Sequence, residues 1–265
     1  MQKFGLIGWP IEHSLSPNIH NAGFSAEGTN AEYTLVPIQP ENFEHEIMDV
    51  LQTYQGLNVT TPYKQRVMSY LDVISDVAQK TGAVNTIYRG EDGLLYGDTT
   101  DGFGFWQSSH IKAGQNVVMI GCGGAARAIM ATVPESVKLF ILNRKSPRYE
   151  GYQEVVADLL GSDVHDIETF SDWAAVDVLI DATSVGLGSE ETVLNQEQLA
   201  LLPAKARVID LKYRGQQLTP LLQKAQQIGL ETMDGQAMLL EQAILSHQQW
   251  IQSEPHRESM MQALR

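Results

Sequence analysis

The stretch "NVVMIGCGGAARA", residues 116–128, constrains the fold more than any other part of the chain. Val117 to Ile120 form a short apolar run that reads as a buried strand. Gly121-x-Gly123-x-x-Ala126 follows at once, where a helix over Gly123 to Thr132 is expected to begin. In that setting each small residue has a task. Gly121 permits a tight turn, Gly123 lets a pyrophosphate come close, and Ala126 lets helix pack on strand. The helix N-terminus adds free N–H groups and the positive end of its dipole. The same letters could also make a plain glycine turn between a strand and a helix.

What surrounds the loop extends the pattern. "VKLFILN" reads as the next strand, Tyr152 to Leu160 as a helix, and "DVLIDAT" and "ARVIDLKY" as later strands. The last helix is expected from near Gly235 to about Gln252. Earlier in the chain, "KFGLIG" reads as a buried strand. Ser16-Pro17 has the look of an N-cap followed by proline at the first helical position, opening a helix to about Gly28. "EYTLVPI" and "GLNVT" are further strands. A helical pattern lies between them, from Pro40 to Tyr54, with Phe43, Ile47, Val50 and Leu51 on one face. Pro62 is expected to open another helix, and "AVNTIYR" and "LLYGDT" to be short strands. Strands separated by helices imply an α/β fold with mostly parallel sheets covered on both faces. The join between two domains is expected to be helical, around Asp101 to Ala113. No internal repeat or low-complexity tract interrupts the series.

Charge and composition exclude several function classes. Among 265 residues there are 18 basic and 32 acidic side chains, a net charge of -14. Nucleic-acid and anionic-membrane surfaces need clustered positive charge, so neither partner is expected. No apolar run approaches the roughly 18 residues of a membrane span. The apolar N-terminal stretch is short and runs into Glu12, which does not suit a signal peptide. The single cysteine, Cys122, cannot close an internal disulfide and suits a reducing, cytoplasmic compartment. Asn58-Val59-Thr60 is formally an N-glycosylation acceptor, but in that compartment the reading loses its premise.

About 20 residues beyond the glycine loop, an NAD site usually carries an acidic residue for the ribose 2′-hydroxyl. Here the strand ends in Asn143-Arg144-Lys145, with Arg148 close behind. Arginine can hold a 2′-phosphate with paired donors, so the cluster favours NADP over NAD. The competing reading is a solvated charged turn.

Other polar groups gather where strands are expected to end, which is where open α/β sheets bind ligands. Ser14 and Ser16 flank a helix start and could hold a carboxylate-sized anion, although Ser16 alone could be a cap. Asn58, Thr60, Lys64, Asn85 and Asp101 come from similar positions. Singly, each reads as a turn or cap residue, and Lys64 as a solvated lysine. His13 and His20 have no metal partner at suitable spacing, and no metal site is expected.

In order, the motifs are Gly8-x-Pro10-x-x-His13-Ser14-x-Ser16-Pro17-x-x-His20-Asn21, Asn58-Val59-Thr60-x-Pro62-x-Lys64 and Gly82-Ala83-Val84-Asn85-Thr86. Thr100-Asp101-Gly102, the glycine loop, Asn143-Arg144 and Ala182-Thr183-Ser184-x-Gly186 follow. Thr219-Pro220-Leu221-Leu222 and Met238-Leu239-x-x-Gln242-Ala243 close the series. Together they resemble the shikimate dehydrogenase family over nearly the whole chain. The resemblance implies NADPH-linked reduction of 3-dehydroshikimate to shikimate, in aromatic amino-acid biosynthesis. It implies two α/β domains flanking a cleft. Residues 1–101, completed by a helical return over 235–265, would bind substrate, and 102–234 would be a Rossmann-like NADP domain.

By that resemblance Lys64 and Asp101 are the catalytic pair, and Ser14 and Ser16 hold the substrate carboxylate. Asn58, Thr60, Asn85 and Gln242 would bind hydroxyls, with Tyr213 lining the same site. The cofactor would lie on Gly121, Cys122, Gly123, Gly124, Ala125 and Ala126, on Asn143, Arg144, Lys145 and Arg148, and on Thr183, Ser184 and Gly235. A monomer or homodimer is expected. Three positions depart from the common pattern: Thr99 and Asp181 stand where Asn is frequent, and Lys145 where Thr is frequent. A quinate or quinate/shikimate dehydrogenase using NAD and a non-catalytic NADP sensor on the same fold are the rival readings.

Overall fold

The computed structural model describes residues 1–264 and divides into two compact units. One unit comprises Met1–Gly104 together with the stretch from Leu240 onward, and the other Phe105–Leu239.

The first unit is built on β1 (Gln2–Gly8), α1 (Ser16–Glu27), β2 (Ala31–Pro37), α2 (Phe43–Thr53), β3 (Gly56–Val59), β4 (Val73–Ile74), α3 (Asp76–Thr81), β5 (Thr86–Arg89) and β6 (Leu95–Asp98). Its sheet has the order β2-β1-β3-β5-β6-β4. β1 lies parallel to β2 and to β3, and is buried from Phe4 onward. Successive side chains of a strand face opposite ways. Ile7 therefore joins Leu57, Val59, Phe43, Ile47 and Leu51 in one core, while Phe4 and Leu6 join Phe24 and Tyr33 in another. α2 buries Phe43, Ile47 and Leu51 at four-residue spacing, the stripe its sequence shows. α1 ends on Gly28, whose φ of 68° is the left-handed conformation that suits glycine.

The sheet is mostly parallel, as expected, with one strand as the exception, and two local expectations are corrected. β5 runs antiparallel to β3 and β6, because the short turn between β5 and β6 is too brief for a parallel crossover. Ser16 does not cap α1 with its side chain: Leu15 takes the cap position, and Ser14 Oγ accepts from Ser16 N at 3.3 Å. Pro62 opens no α-helix. The Lys64 carbonyl accepts from Val84 N at 2.8 Å, so it is tied to another segment, and only a 3₁₀ turn follows at Arg66–Tyr70.

α4 (Asp101–Ser109) carries the chain across the first unit boundary. The second unit then adds β7 (Asn116–Ile120), α5 (Gly124–Ala131), β8 (Lys138–Asn143), α6 (Tyr149–Leu160), β9 (Val164–Asp166), β10 (Val178–Asp181), α7 (Gln196–Leu199), β11 (Arg207–Asp210), α8 (Pro220–Gln227) and β12 (Glu231–Met233). All its strand pairs are parallel, in the order β12-β11-β10-β7-β8-β9. Renumbered within the unit this is 6-5-4-1-2-3, the doubly wound arrangement whose order reverses beside its first strand. Val117, Met119, Val178 and Ile180 pack on one face with Ala126, Ile129 and Val156. Val118, Ile120, Leu179 and Val208 pack on the other with Trp173, Leu221 and Leu222. α9 (Gln236–Ile251) crosses the second boundary and α10 (Arg257–Gln262) is the last helix. No helix among the described residues is long and apolar enough to cross a membrane.

Candidate active site

In the first unit, Lys64 comes from the turn after β3 and Asp101 from the start of α4. Lys64 Nζ lies 2.5 Å from Asp101 Oδ2, and both side chains keep some exposure. Asp101 Oδ1 accepts from Asn85 Nδ2 at 2.8 Å. One carboxylate thus faces the ammonium with one oxygen and is aimed by an amide on the other. The Asn85 amide is itself fixed, because its Oδ1 accepts from Thr100 N at 2.8 Å and from Thr86 Oγ1 at 3.0 Å.

The network continues inward. Asn58 Nδ2 donates to Ser246 Oγ at 3.0 Å, and Asn58 Oδ1 accepts from the Tyr33 hydroxyl at 2.8 Å. Ser246 Oγ lies 2.7 Å from Thr86 Oγ1 and donates to the Gln242 carbonyl at 3.0 Å. Asn85 Nδ2 stands 3.5 Å from Gln242 Oε1. Asn58, Asn85 and Gln242 are all buried and held by these bonds, which leaves little of each open to solvent. Such buried polar networks rigidify when every member is satisfied.

Ser14 and Ser16 form a pair at the edge of this network, with Ser14 Oγ donating to Ser16 Oγ at 3.2 Å and Ser16 interacting with the Tyr33 hydroxyl. Thr60 lies over Gly8: a Cβ on Gly8 would sit 2.4 Å from Thr60 Cγ2, so glycine there is what lets the two strand ends approach. If the serine pair holds a carboxylate, Ser14→Ala should raise the substrate KM roughly tenfold, the scale of one hydrogen bond to a charged group. Cofactor affinity should not move. Unchanged KM in a folded variant would end that assignment.

Thr86, Thr100, Tyr33 and Ser246 are parts of this site to which the sequence assigns no role. Ser246 could have been found, since it stands one helical turn beyond Gln242. Beneath the site, His20 stacks on Tyr33 with ring centroids 4.4 Å apart. Its Nδ1 lies 3.1 Å from His247 Nδ1, and His247 Nε2 lies 3.0 Å from Glu27 Oε2.

Burial holds the His20 imidazole well below its usual range, with His247 adding to the effect. Burial also lowers His247, against the pull of Glu27. An unfolded chain takes up protons on both rings near pH 6.5, whereas the folded chain resists. The unfolded state therefore binds more protons below about pH 6.5, and stability should fall as pH drops from there through the lowered folded values. Denaturant midpoints measured between about pH 7 and pH 5.5 check this. His20→Gln should flatten the slope, and an unaltered slope would remove the histidine pair as its cause.

In the second unit the glycine loop joins β7 to α5. Gly121 has a φ of 110°, and a Cβ there would come within 3.1 Å of Ala182 and Thr183. Both facts restrict the position to glycine. Gly123 precedes α5, and a Cβ on Gly123 or Gly124 would meet nothing within 4 Å. That open space in front of a helix N-terminus fits a pyrophosphate approaching the backbone. Ala126 is wholly buried against the sheet, and Cys122 is buried too.

Asn143 ends β8, and its Oδ1 accepts from Arg144 N at 2.8 Å. Arg144, Lys145 and Arg148 are exposed. Lys145 Nζ lies 3.6 Å from Asp166 Oδ2, so part of its charge is already balanced. Gly235 is explained by packing: a Cβ there would lie 2.0 Å from the Leu211 carbonyl oxygen. Tyr213 belongs to this second unit and is half-buried.

Residues 6–87 match the model of the shikimate dehydrogenase substrate binding domain. The chain is 37% identical to a shikimate dehydrogenase (NADP(+)) of Bacillus subtilis (strain 168), over 97% of this chain and 94% of that protein. The chain belongs to the shikimate dehydrogenase family. Its fold superposes with a TM-score of 0.88 on shikimate 5-dehydrogenase of Thermus thermophilus in complex with NADP(H) and shikimate, at 29% identity, covering 100% and 99% of the two chains. Quinate dehydrogenase of Corynebacterium glutamicum in complex with NAD is similar at a TM-score of 0.84 and 27% identity, covering 99% and 98%. The fold of this family therefore hosts both cofactors, and cofactor choice has to be read from side chains such as those after β8.

Proposed function

We propose that this member of the shikimate dehydrogenase family catalyses the reversible NADPH-dependent reduction of 3-dehydroshikimate to shikimate, a step toward aromatic amino acids. The observation that carries the mechanism is the Lys64–Asp101 pair at 2.5 Å, aimed by Asn85. NADPH, when bound, would be the source of the hydride that reaches the ketone carbon. The carbonyl oxygen gains negative charge as that bond forms, and the Lys64 ammonium stabilises it and gives it a proton. Asp101 keeps the ammonium oriented and balances its charge. In the reverse direction the neutral amine takes the hydroxyl proton. Ser14 and Ser16 would hold the substrate carboxylate. Asn58, Thr60, Asn85 and Gln242 would supply the hydroxyl contacts.

The residues of the second unit fit NADP. Gly121 to Ala125 would hold the pyrophosphate, with Ala126 packing the helix onto the sheet behind them and Thr183, Ser184 and Gly235 nearby. Asn143, Arg144, Lys145 and Arg148 would hold the 2′-phosphate. A cytoplasmic setting belongs to the same reading, supported by one buried cysteine. A monomer or homodimer is part of it as well, to be checked by light scattering.

Steady-state assays with shikimate against quinate, and NADP⁺ against NAD⁺, test the proposal. Fastest turnover with shikimate and NADP⁺ is expected. Preference for quinate with NAD⁺ would move the chain to the other branch of the family, and no turnover with any pair would favour a sensor.

A further inference from the structure

Asp181 ends β10, Asp210 ends β11, and Lys212 lies two residues beyond. Lys212 Nζ donates to Asp181 Oδ2 at 2.7 Å and to Thr183 O at 3.1 Å, and lies 2.8 Å from Asp210 Oδ1. Two of the ammonium's protons go to Asp181 and Thr183, while Asp210 Oδ1 faces its charge and accepts from Lys212 N at 3.0 Å. All three charged side chains are buried. The remaining carboxylate oxygens are also engaged. Asp181 Oδ1 accepts from Thr183 N at 2.9 Å, and Asp210 Oδ2 accepts from Thr219 Oγ1 at 2.6 Å.

Thr183 is thus gripped on both sides, its N–H by Asp181 and its carbonyl by Lys212. That segment is also the one lying against the glycine turn, 3.1 Å from where a Gly121 Cβ would be. Lys212 holds a third segment as well, since its own carbonyl accepts from Gly235 N at 3.2 Å. Stability alone does not account for such a cluster. Buried ion pairs are often no more stabilising than apolar residues of the same volume.

We propose that Lys212 is a positioning residue which, with Asp181, sets the Thr183 peptide against the glycine turn and so shapes the half of the cofactor site that takes the nicotinamide mononucleotide. The inference rests on the glycine-loop reading above. In a doubly wound sheet each βαβαβ half takes one mononucleotide. The ribose-binding turn after β8 belongs to the adenosine half, which leaves β10 to β12 for the other. Burial pushes the Asp181 carboxyl up despite Lys212, so the carboxylate depends on the ammonium to stay charged.

The test uses the full chain with Asp181→Asn and Lys212→Met combined. This removes both charges while an amide oxygen can still accept from Thr183 N. Binding of NADP⁺ and of adenosine 2′,5′-bisphosphate is measured by calorimetry, and kcat with shikimate alongside. Loss of one charged donor on the Thr183 carbonyl should weaken NADP⁺ roughly tenfold. The bisphosphate, which reports only the adenosine half, should bind as before, and kcat should fall. Equal weakening of both ligands, or of neither, would overturn the proposal. Failure of the unmodified protein to bind either ligand would instead overturn the glycine-loop reading. If the double variant does not fold, Lys212→Arg keeps the charge with altered reach, and the same split between the two ligands is required of it.

Discussion

Lys64→Ala is expected to lower kcat by roughly 10²–10⁴, the usual scale for losing a positioned general acid. The lysine side chain is partly exposed and its ammonium bonds to the Asp101 carboxylate at the surface of the unit, so the variant should fold. Shikimate affinity should change much less, because the ammonium acts on charge that forms only in the transition state. Asp101→Asn should also be severe. Its amide can no longer balance the ammonium, and its nitrogen could face the Asn85 Nδ2 donor that now points at a carboxylate oxygen. Circular dichroism confirms folding, and steady-state turnover with shikimate and NADP⁺ reads the effect. A folded Lys64→Ala protein with near-normal kcat would remove the acid–base assignment and revive the sensor reading.

The sequence conveyed long periodic elements well and short ones poorly. β1, α2 and the β7–α5–β8 series are readable because buried side chains recur at the period of their element. β4 has two residues and β9 and β12 three each, too few for any period to show. The helix expected at Pro62 fails for a tertiary reason, since Val84 claims the Lys64 carbonyl. Local preference was overruled by a bond between segments far apart in sequence.

The site divides in the same way. Lys64, Asp101, Asn85 and Gln242 could be named from motif order, and the structure brings these four into one hydrogen-bonded group. The motifs contain Thr86 and Thr100 without showing what they bond to, and Ser246 lies outside every motif, so the hydroxyls that fix the amides emerge only when folding buries them. Lys212 was hidden more deeply. A lysine just past a strand reads as solvated, and only the unusual aspartate at 181 hints that a buried cation must balance it.

Arg144→Ala should raise the Kd for NADP⁺ by roughly 10–10², the equivalent of about 1.5–3 kcal/mol for a charge-assisted contact. NAD⁺ binding should stay within about twofold, because NAD⁺ has no 2′-phosphate for the guanidinium to hold. Asn143 Oδ1 fixes the Arg144 backbone at the end of β8, and the side chain is exposed to receive a ligand. Lys145→Ala should cost less, since Lys145 Nζ already has Asp166 at 3.6 Å and is 73% exposed. An exposed charge of that kind contributes on the order of 0–1 kcal/mol. Added salt should weaken NADP⁺ more than NAD⁺ in the unmodified protein, and the difference should shrink in Arg144→Ala, because screening acts on the contact that was removed. Fluorescence titration with both cofactors at two salt concentrations makes the comparison. Parallel losses for NADP⁺ and NAD⁺ would show that the cluster after β8 is a solvated charged turn, and that cofactor selection lies in some other part of the second unit.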